Sequence, residues 1–308
     1  MTGRLIHTGQ VVLDLVMRVP ALPVRGGDVL ADGAELTPGG GFNVMAAAAR
    51  SGAAVVYAGA HGTGPLSDQA RTALAAEGVA VAQRPVPDAD LGVVVTLVDS
   101  AGERTFVTGT GAEGRLRTEQ LAAIPVAPDD LVYVTGYSLM HDANRAALLA
   151  WLPSAPGRVL FDPGPLAADI PADVLDRLLP RFALLSCNAA EARALSWART
   201  SDAAAATLAA RLAPHAAVVV RDGADGCVLA SGGRTRRVAG FPVEAVDTNG
   251  AGDAHCGVLA ADLLRGAGLD TAARRANAAA ALAVRRHGPA TAPLRTEIDA
   301  FLAGSTES

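Results

Sequence analysis

From Leu131 to Val284, short apolar runs alternate with alanine-rich segments. Residues 131–135, 158–161, 182–186 and 216–221 read as strands. Residues 142–152, 171–179, 189–195, 203–212 and 269–284 read as helices. Parallel strands need long crossovers between them, and helices supply these, so alternation of this kind predicts a mostly parallel sheet covered on both faces. That is a three-layer α/β/α sandwich. In such sheets ligands sit beyond the carboxyl ends of the strands. Asp14, Asp162, Asn188, Arg221-Asp222 and Asp247 all fall where a predicted strand ends.

The first hundred residues read differently. Residues 5–13 predict a strand that closes on Asp14, and residues 15–36, rich in Pro, Gly and Asp, predict extended chain and turns. A glycine loop over 37–43 leads into a helix at 44–50, stopped by Ser51-Gly52. A strand at 53–58, a helix at 68–77 and a short strand at 79–81 follow. Residues 91–99 and 104–108 predict a hairpin turning at Gly102, with both faces fairly apolar. With residues 15–36 it is expected to make a small sheet projecting from the body. Residues 226–230 and 235–238 predict a second hairpin, and 241–246 another strand. With no repeat and no long linker, residues 1–308 are expected to form a single domain.

The 308 residues are half hydrophobic but only 4% aromatic, so the core is expected to be close-packed and aliphatic. A net charge of −5 without a basic stripe speaks against nucleic acid as a partner. The three cysteines, Cys187, Cys227 and Cys256, are too far apart to pair as metal ligands and suit a reducing compartment. There is neither an apolar leader nor a run of 18 apolar residues, so a soluble cytoplasmic protein without membrane contact is expected. No GxxxxGK[ST] loop occurs, and Gly59, Gly62 and Gly64 do not spell GxGxxG, which weakens a dinucleotide oxidoreductase reading.

The stretch Val246-Asp247-Thr248-Asn249-Gly250-Ala251-Gly252-Asp253-Ala254-His255 enters a predicted helix. Glycines let backbone N–H groups approach a ligand, and a helix start offers unpaired donors and partial positive charge to an anion. Asp253 in that first turn is either an ordinary acidic helix start or a base beside a bound phosphate. Asn188 and Glu191, three apart, are either a capping pair or a site for a ligand.

The run Asp247-Thr248-Asn249-Gly250-Ala251-Gly252-Asp253 resembles the C-terminal signature of the ribokinase-like (PfkB) carbohydrate kinases. The early glycine–Asn stretch with its helix, Asn188-Ala189-Ala190-Glu191, Gly223-Ala224-Asp225-Gly226 and Ala276-Asn277-Ala278 resemble that family's other motifs, in order, from about Leu5 to Leu302. The resemblance implies a ribokinase-like fold with a β-sheet lid over about 14–37 and 91–110. It implies Asp253 as catalytic base, with the amides of Gly250, Ala251, Gly252 and Asp253 as an anion hole. Asp14, Gly40, Gly41 and Asn43 would bind the sugar. Pro38 departs from the family pattern, standing where the first glycine of Gly-Gly-x-x-x-Asn is usual, unless the loop is one residue shorter. Asn188, Arg221, Gly223, Gly226 and Asn277 would lie at the nucleotide. Glu191 would act on Mg²⁺ through water, and Asp247 with the loop Arg286-His287-Gly288-Pro289-Ala290 would hold a monovalent cation such as K⁺. The lid also forms a dimer contact in several members, which implies a possible homodimer here.

The expected function is therefore ATP-dependent phosphorylation of a hydroxyl on a small sugar or sugar acid, of the ribose, fructose or 2-keto-3-deoxygluconate type. The rivals are a nucleoside kinase on the same fold and a non-catalytic sugar or nucleotide sensor. Phe106 is the one aromatic in the expected lid, which disfavours stacking of a base, and the intact Gly-Ala-Gly-Asp disfavours a sensor. His255, two residues past the expected base, reads first as a core histidine.

Overall fold

A computed structural model describes residues 3–305. Its strands in chain order are β1 (Leu5–His7), β2 (Val11–Arg18), β3 (Gly33–Gly40), β4 (Val55–Tyr57), β5 (Ala80–Val81), β6 (Val93–Val98) and β7 (Arg104–Thr108). Then come β8 (Leu131–Thr135), β9 (Arg158–Asp162), β10 (Phe182–Asn188), β11 (Ala217–Arg221), β12 (Gly226–Ser231) and β13 (Arg234–Ala239). Nine strands form one sheet in the order β13-β12-β11-β10-β9-β8-β1-β4-β5, and four form a second in the order β3-β2-β6-β7. The large sheet is parallel from β5 to β11, and the β12–β13 hairpin adds an antiparallel edge.

Side-chain alternation explains the three layers. In β8, Val132 and Val134 enter an apolar cluster with Leu148, Trp151 and Leu178. Tyr133 between them enters the opposite cluster with Met45, Leu259 and Ala276. Small residues set the spacing of the second layer. A Cβ on Gly257 would lie 2.5 Å from Ala47 Cβ and 2.5 Å from Val44 O. The helix Ala251–Leu264 therefore packs directly on Gly41–Arg50, which brings the starts of the two helices together.

The structure corrects the expected elements in three places. Residues 5–13 are not one strand: β1 belongs to the large sheet and β2 to the small one, broken at Thr8–Gln10. A Cβ on Gly9 would lie 2.7 Å from both His7 Cε1 and Thr135 Cγ2, so glycine is what lets the chain turn there. Asp14 consequently lies inside β2, opposite Thr37 and Val94, rather than at a strand end. The expected glycine loop is largely strand: Pro38 lies in β3 opposite Leu13, and the helix begins at Gly41. β3 is an edge strand, where a residue without N–H is tolerated. Residues 241–246 form no strand, since Pro242 lacks a donor and Phe241 turns instead to pack edge-on against Phe301.

Candidate active site

Four predicted strand ends converge at one edge of the large sheet. Thr135 on β8 pairs with Asp162 on β9, and Asn188 on β10 pairs with Arg221 on β11. The helix Ala251–Leu264 starts above this row. Gly250 caps it at φ +74°, where a Cβ would lie 1.8 Å from Pro289 O, so only glycine fits. The N–H groups at the start of a helix have no intrahelical acceptor and suit an anion; that of Ala251 makes a long bond, 3.4 Å, to Thr248 O.

Asp253 lies in this first turn, half-buried, and its Oδ2 accepts a hydrogen bond from Asn43 Nδ2 at 3.1 Å. Burial pushes its carboxyl up to about 7. The Asn43 bond and the Arg221 charge oppose that rise, while Asp162 and Asp14 add to it. Asp14 is pushed up to about 6 by burial alone. Its carboxylate lies against Gly39, where a Cβ would fall 2.0 Å from Oδ2. Around these acids, Asn43 Oδ1, Thr37 Oγ1, Gln10 Nε2 and His7 Nε2 are buried without a hydrogen-bond partner. Their elements meet at Gly40 and Gly41: the Gly41 amide donates to Gln10 O at 2.8 Å, and a Cβ on Gly41 would meet His7 Cε1 at 2.2 Å. Buried polar atoms left unpaired are costly, so this corner is chemically suited to a polyhydroxylated ligand.

Beneath the turn lies a buried ionic cluster. Arg221 Nη1 donates to Ser186 Oγ at 2.8 Å and reaches Cys256 Sγ at 2.9 Å and Asp162 Oδ2 at 3.3 Å, while Nη2 lies 3.5 Å from Glu191 Oε2. Tyr133 Oη donates to the same Asp162 oxygen at 3.1 Å. A Cβ on Gly252 would lie 3.7 Å from the guanidinium, so Arg221 places its charge directly under the anion turn.

Several residues expected at the nucleotide or metal have partners within the protein. Asn188 and Glu191 form the capping pair: Glu191 N–H donates to Asn188 Oδ1, and both Glu191 oxygens accept from Asn188. Desolvation nevertheless raises the Glu191 carboxyl. Among the described residues no cluster of three or more metal-ligating side chains occurs. This donor set suits Mg²⁺, which keeps waters and leans on phosphates, better than a metal caged by protein ligands. Asn277 is used structurally, donating to Val238 O and Ala239 O and meeting His255 Nε2 at 3.2 Å. His255 is a buried core histidine, pushed down to about 3 by desolvation. Gly223 and Gly226 form the β11–β12 turn at φ +62° and +94°, and no atom lies within 4 Å of a Cβ on Gly223. Asp247 does not stand free for a cation: its carboxylate pairs with Arg104 of the small sheet at 2.6 Å.

Sequence reasoning missed Gln10, Thr37, Arg104 and Tyr137. The Tyr137 ring, 44% exposed, lies over Gly164 within the field of Asp253, Glu191, Asp14 and Asp162. Its one sequence signal is its place just past a strand end at Thr135-Gly136. Arg104 and Thr37 have no such signal, because only the folded small sheet brings them near the site.

A parallel sheet with a side sheet, a helix start suited to an anion and an acid of raised pKa beside a corner of unpaired polar atoms fit an alcohol-group phosphotransferase. The pfkB family carbohydrate kinase model matches residues 4–297, and the chain belongs to that family. It is 33% identical over 304 residues to an uncharacterized sugar kinase, YegV, of Escherichia coli K12, covering 94% of this chain and 91% of that one. In fold it is similar to a ribokinase of Arabidopsis thaliana complexed with ribose and ATP, at TM-score 0.83, 22% identity and coverage of 98% and 99%. It is likewise similar to a putative ribokinase II of E. coli in complex with ATP and Mg²⁺, at TM-score 0.80, 23% identity and coverage of 98% and 99%.

Proposed function

We propose that this carbohydrate kinase transfers the γ-phosphoryl group of ATP to a hydroxyl of a small sugar or sugar acid of the ribose, fructose or 2-keto-3-deoxygluconate type. The observation that carries the reading is Asp253: a carboxylate poised near neutrality, in the first turn of an anion-binding helix, aimed by Asn43 from the hydroxyl-binding corner. Asp253 takes the proton of the attacking hydroxyl as the new O–P bond forms and the bond to the ADP oxygen breaks. The amides of Gly250, Ala251, Gly252 and Asp253 hold the charge of the moving phosphoryl group, with Arg221 beneath them.

Asp14, with two acceptor oxygens, suits a pair of neighbouring hydroxyls. Asn43 and the backbone at Gly40 and Gly41 complete the sugar site. The Gly223–Gly226 turn and the Asn188 end of β10 bound the nucleotide side, and Glu191 with Asn188 would organise the water shell of Mg²⁺, which supplies charge neutralisation when bound. The monovalent-cation role expected of Asp247 is not part of this reading, given its pairing with Arg104. The small sheet acts as the lid of a single catalytic domain, excluding water from the reaction. Its exposed Val107, on the face opposite Asp14 and Arg104, fits a homodimer contact. The buried free cysteines fit a cytoplasmic protein, and among the described residues no helix is long and apolar enough to cross a membrane.

A nucleoside acceptor is a second reading, favoured by the exposed ring of Tyr137. An assay of ADP formation over pentoses, hexoses, 2-keto-3-deoxy acids and nucleosides tests both. Sugar-dependent turnover abolished by Asp253→Asn supports the proposal. Turnover with nucleosides alone supports the second reading, and turnover with none of them leaves a binding protein.

A further inference from the structure

Asp247 opens the anion turn, and donors surround its carboxylate. Oδ1 accepts from Arg104 Nη2 at 2.6 Å and from the Asn249 amide at 2.9 Å, and Oδ2 accepts from the Gly288 amide at 3.1 Å. The chain beside it is pinned as well, since the amides of Val246 and Asp247 both donate to Val284 O, at 2.7 and 3.0 Å. The Asp247 side chain is 11% exposed and that of Arg104 30%. Arg104 begins β7, next to the hairpin tip at Gly102 and opposite Val98. The ion pair therefore joins the far end of the small sheet to the segment that caps the helix Ala251–Leu264.

A potassium ion at Asp247 would need oxygen ligands, but what faces this carboxylate is N–H hydrogen and a guanidinium. A second cation there would meet like charge at short range. Unlike lysine, arginine stays charged at any working pH and spreads several donors in a plane, so it can act as a fixed counter-charge.

We propose that Arg104 is the resident cation of the Asp247 site, so that this protein works without a bound monovalent metal ion and the anion turn is ordered by closure of the small sheet. The consequence for catalysis rests on the phosphotransfer reading; the occupancy of the site does not. A cation drawn from solution binds whatever the position of the lid, whereas Arg104 reaches Asp247 only when β7 lies across the site. Ordering of the turn is thus coupled to closure over the sugar.

The test compares wild type with Arg104→Ala and Arg104→Gln in choline chloride and in potassium chloride at equal ionic strength. Melting temperature and affinity for the magnesium complex of AMP-PNP are measured, and crystals of each protein are soaked in rubidium chloride. Wild type is expected to change its affinity by less than about twofold between the salts, a difference below about 0.5 kcal/mol. It is also expected to shift in melting temperature by less than about 1 °C and to show no rubidium anomalous peak at Asp247. The Arg104 variants are expected to bind the analogue more weakly in choline, to recover in potassium, and to show the rubidium peak. Potassium tightening wild-type binding about tenfold, or a rubidium peak on wild-type Asp247, overturns the proposal. So do Arg104 variants that match wild type in both salts. If AMP-PNP binds none of the proteins, the phosphotransfer reading fails, and the rubidium and melting measurements still decide the cation.

Discussion

Asp253 works against the fold that holds it. Its carboxyl binds a proton more tightly in the folded protein, at about 7, than in the unfolded chain, near 4. The folded state therefore takes up protons, and stability falls as pH rises from about 4 to about 7, then levels off. The ionised group is the one that can accept a hydroxyl proton, so kcat/KM is expected to rise with pH through about 7. Asp253→Asn should lose on the order of 10³-fold or more in kcat. The same variant should melt higher than wild type at pH 8, by on the order of 2–4 kcal/mol of stability, and by a smaller margin, roughly 1–2 kcal/mol, at pH 5. A scanning-calorimetry comparison at the two pH values checks the stability half, and an unchanged melting point at pH 8 would contradict the assigned burial. Asp14→Ala should raise the sugar KM far more than the ATP KM. Gly39→Ala should do the same through Asp14, because its Cβ would fall 2.0 Å from the Asp14 carboxylate.

Two helices and a turn hold this geometry at the scale of elements. Asn43 and Asp253 meet because Gly257 lets Ala251–Leu264 lie against Gly41–Arg50 without a Cβ between them. Gly257→Ala would place a methyl 2.5 Å from Ala47 Cβ and is expected to cost roughly 1–3 kcal/mol as the helices separate. Because separation also pulls Asn43 from Asp253, kcat should fall even at temperatures where the variant is fully folded; unchanged kcat would show that the pair tolerates the shift. The glycine turn and the Asn188–Glu191 capping pair were legible because each is a local pattern whose spacing is fixed by a helix start. The division of residues 5–13 between two sheets was not. It depends on Gly9 fitting between His7 and Thr135, a contact across the fold. Residues 241–246 misled for a related reason, since apolar runs pack as well in irregular chain as in strands.

In the whole molecule, the large sheet supplies the row of strand-end groups, and the small sheet carries Asp14, Thr37 and Arg104, the last of which reaches Asp247. The face of the small sheet opposite Asp14 and Arg104 leaves Val107 62% exposed, which fits the homodimer reading. Val107→Asp is expected to shift sedimentation from dimer to monomer with the fold intact; a wild type that sediments as a monomer at micromolar concentration removes the dimer. The sequence by itself determined the alternating α/β order, the family, and the local motifs with their carboxylate and amide groups, because these rest on periodicity and short spacing along the chain. Only the tertiary structure decided that Arg221 is sunk beneath the anion turn, that Asn277 braces β13, that Gln10 and Thr37 join the hydroxyl corner, and that Arg104 reaches Asp247. Each of these pairings joins residues far apart in the chain, and burial, charge and hydrogen-bond demand select partners only once packing has brought them within reach.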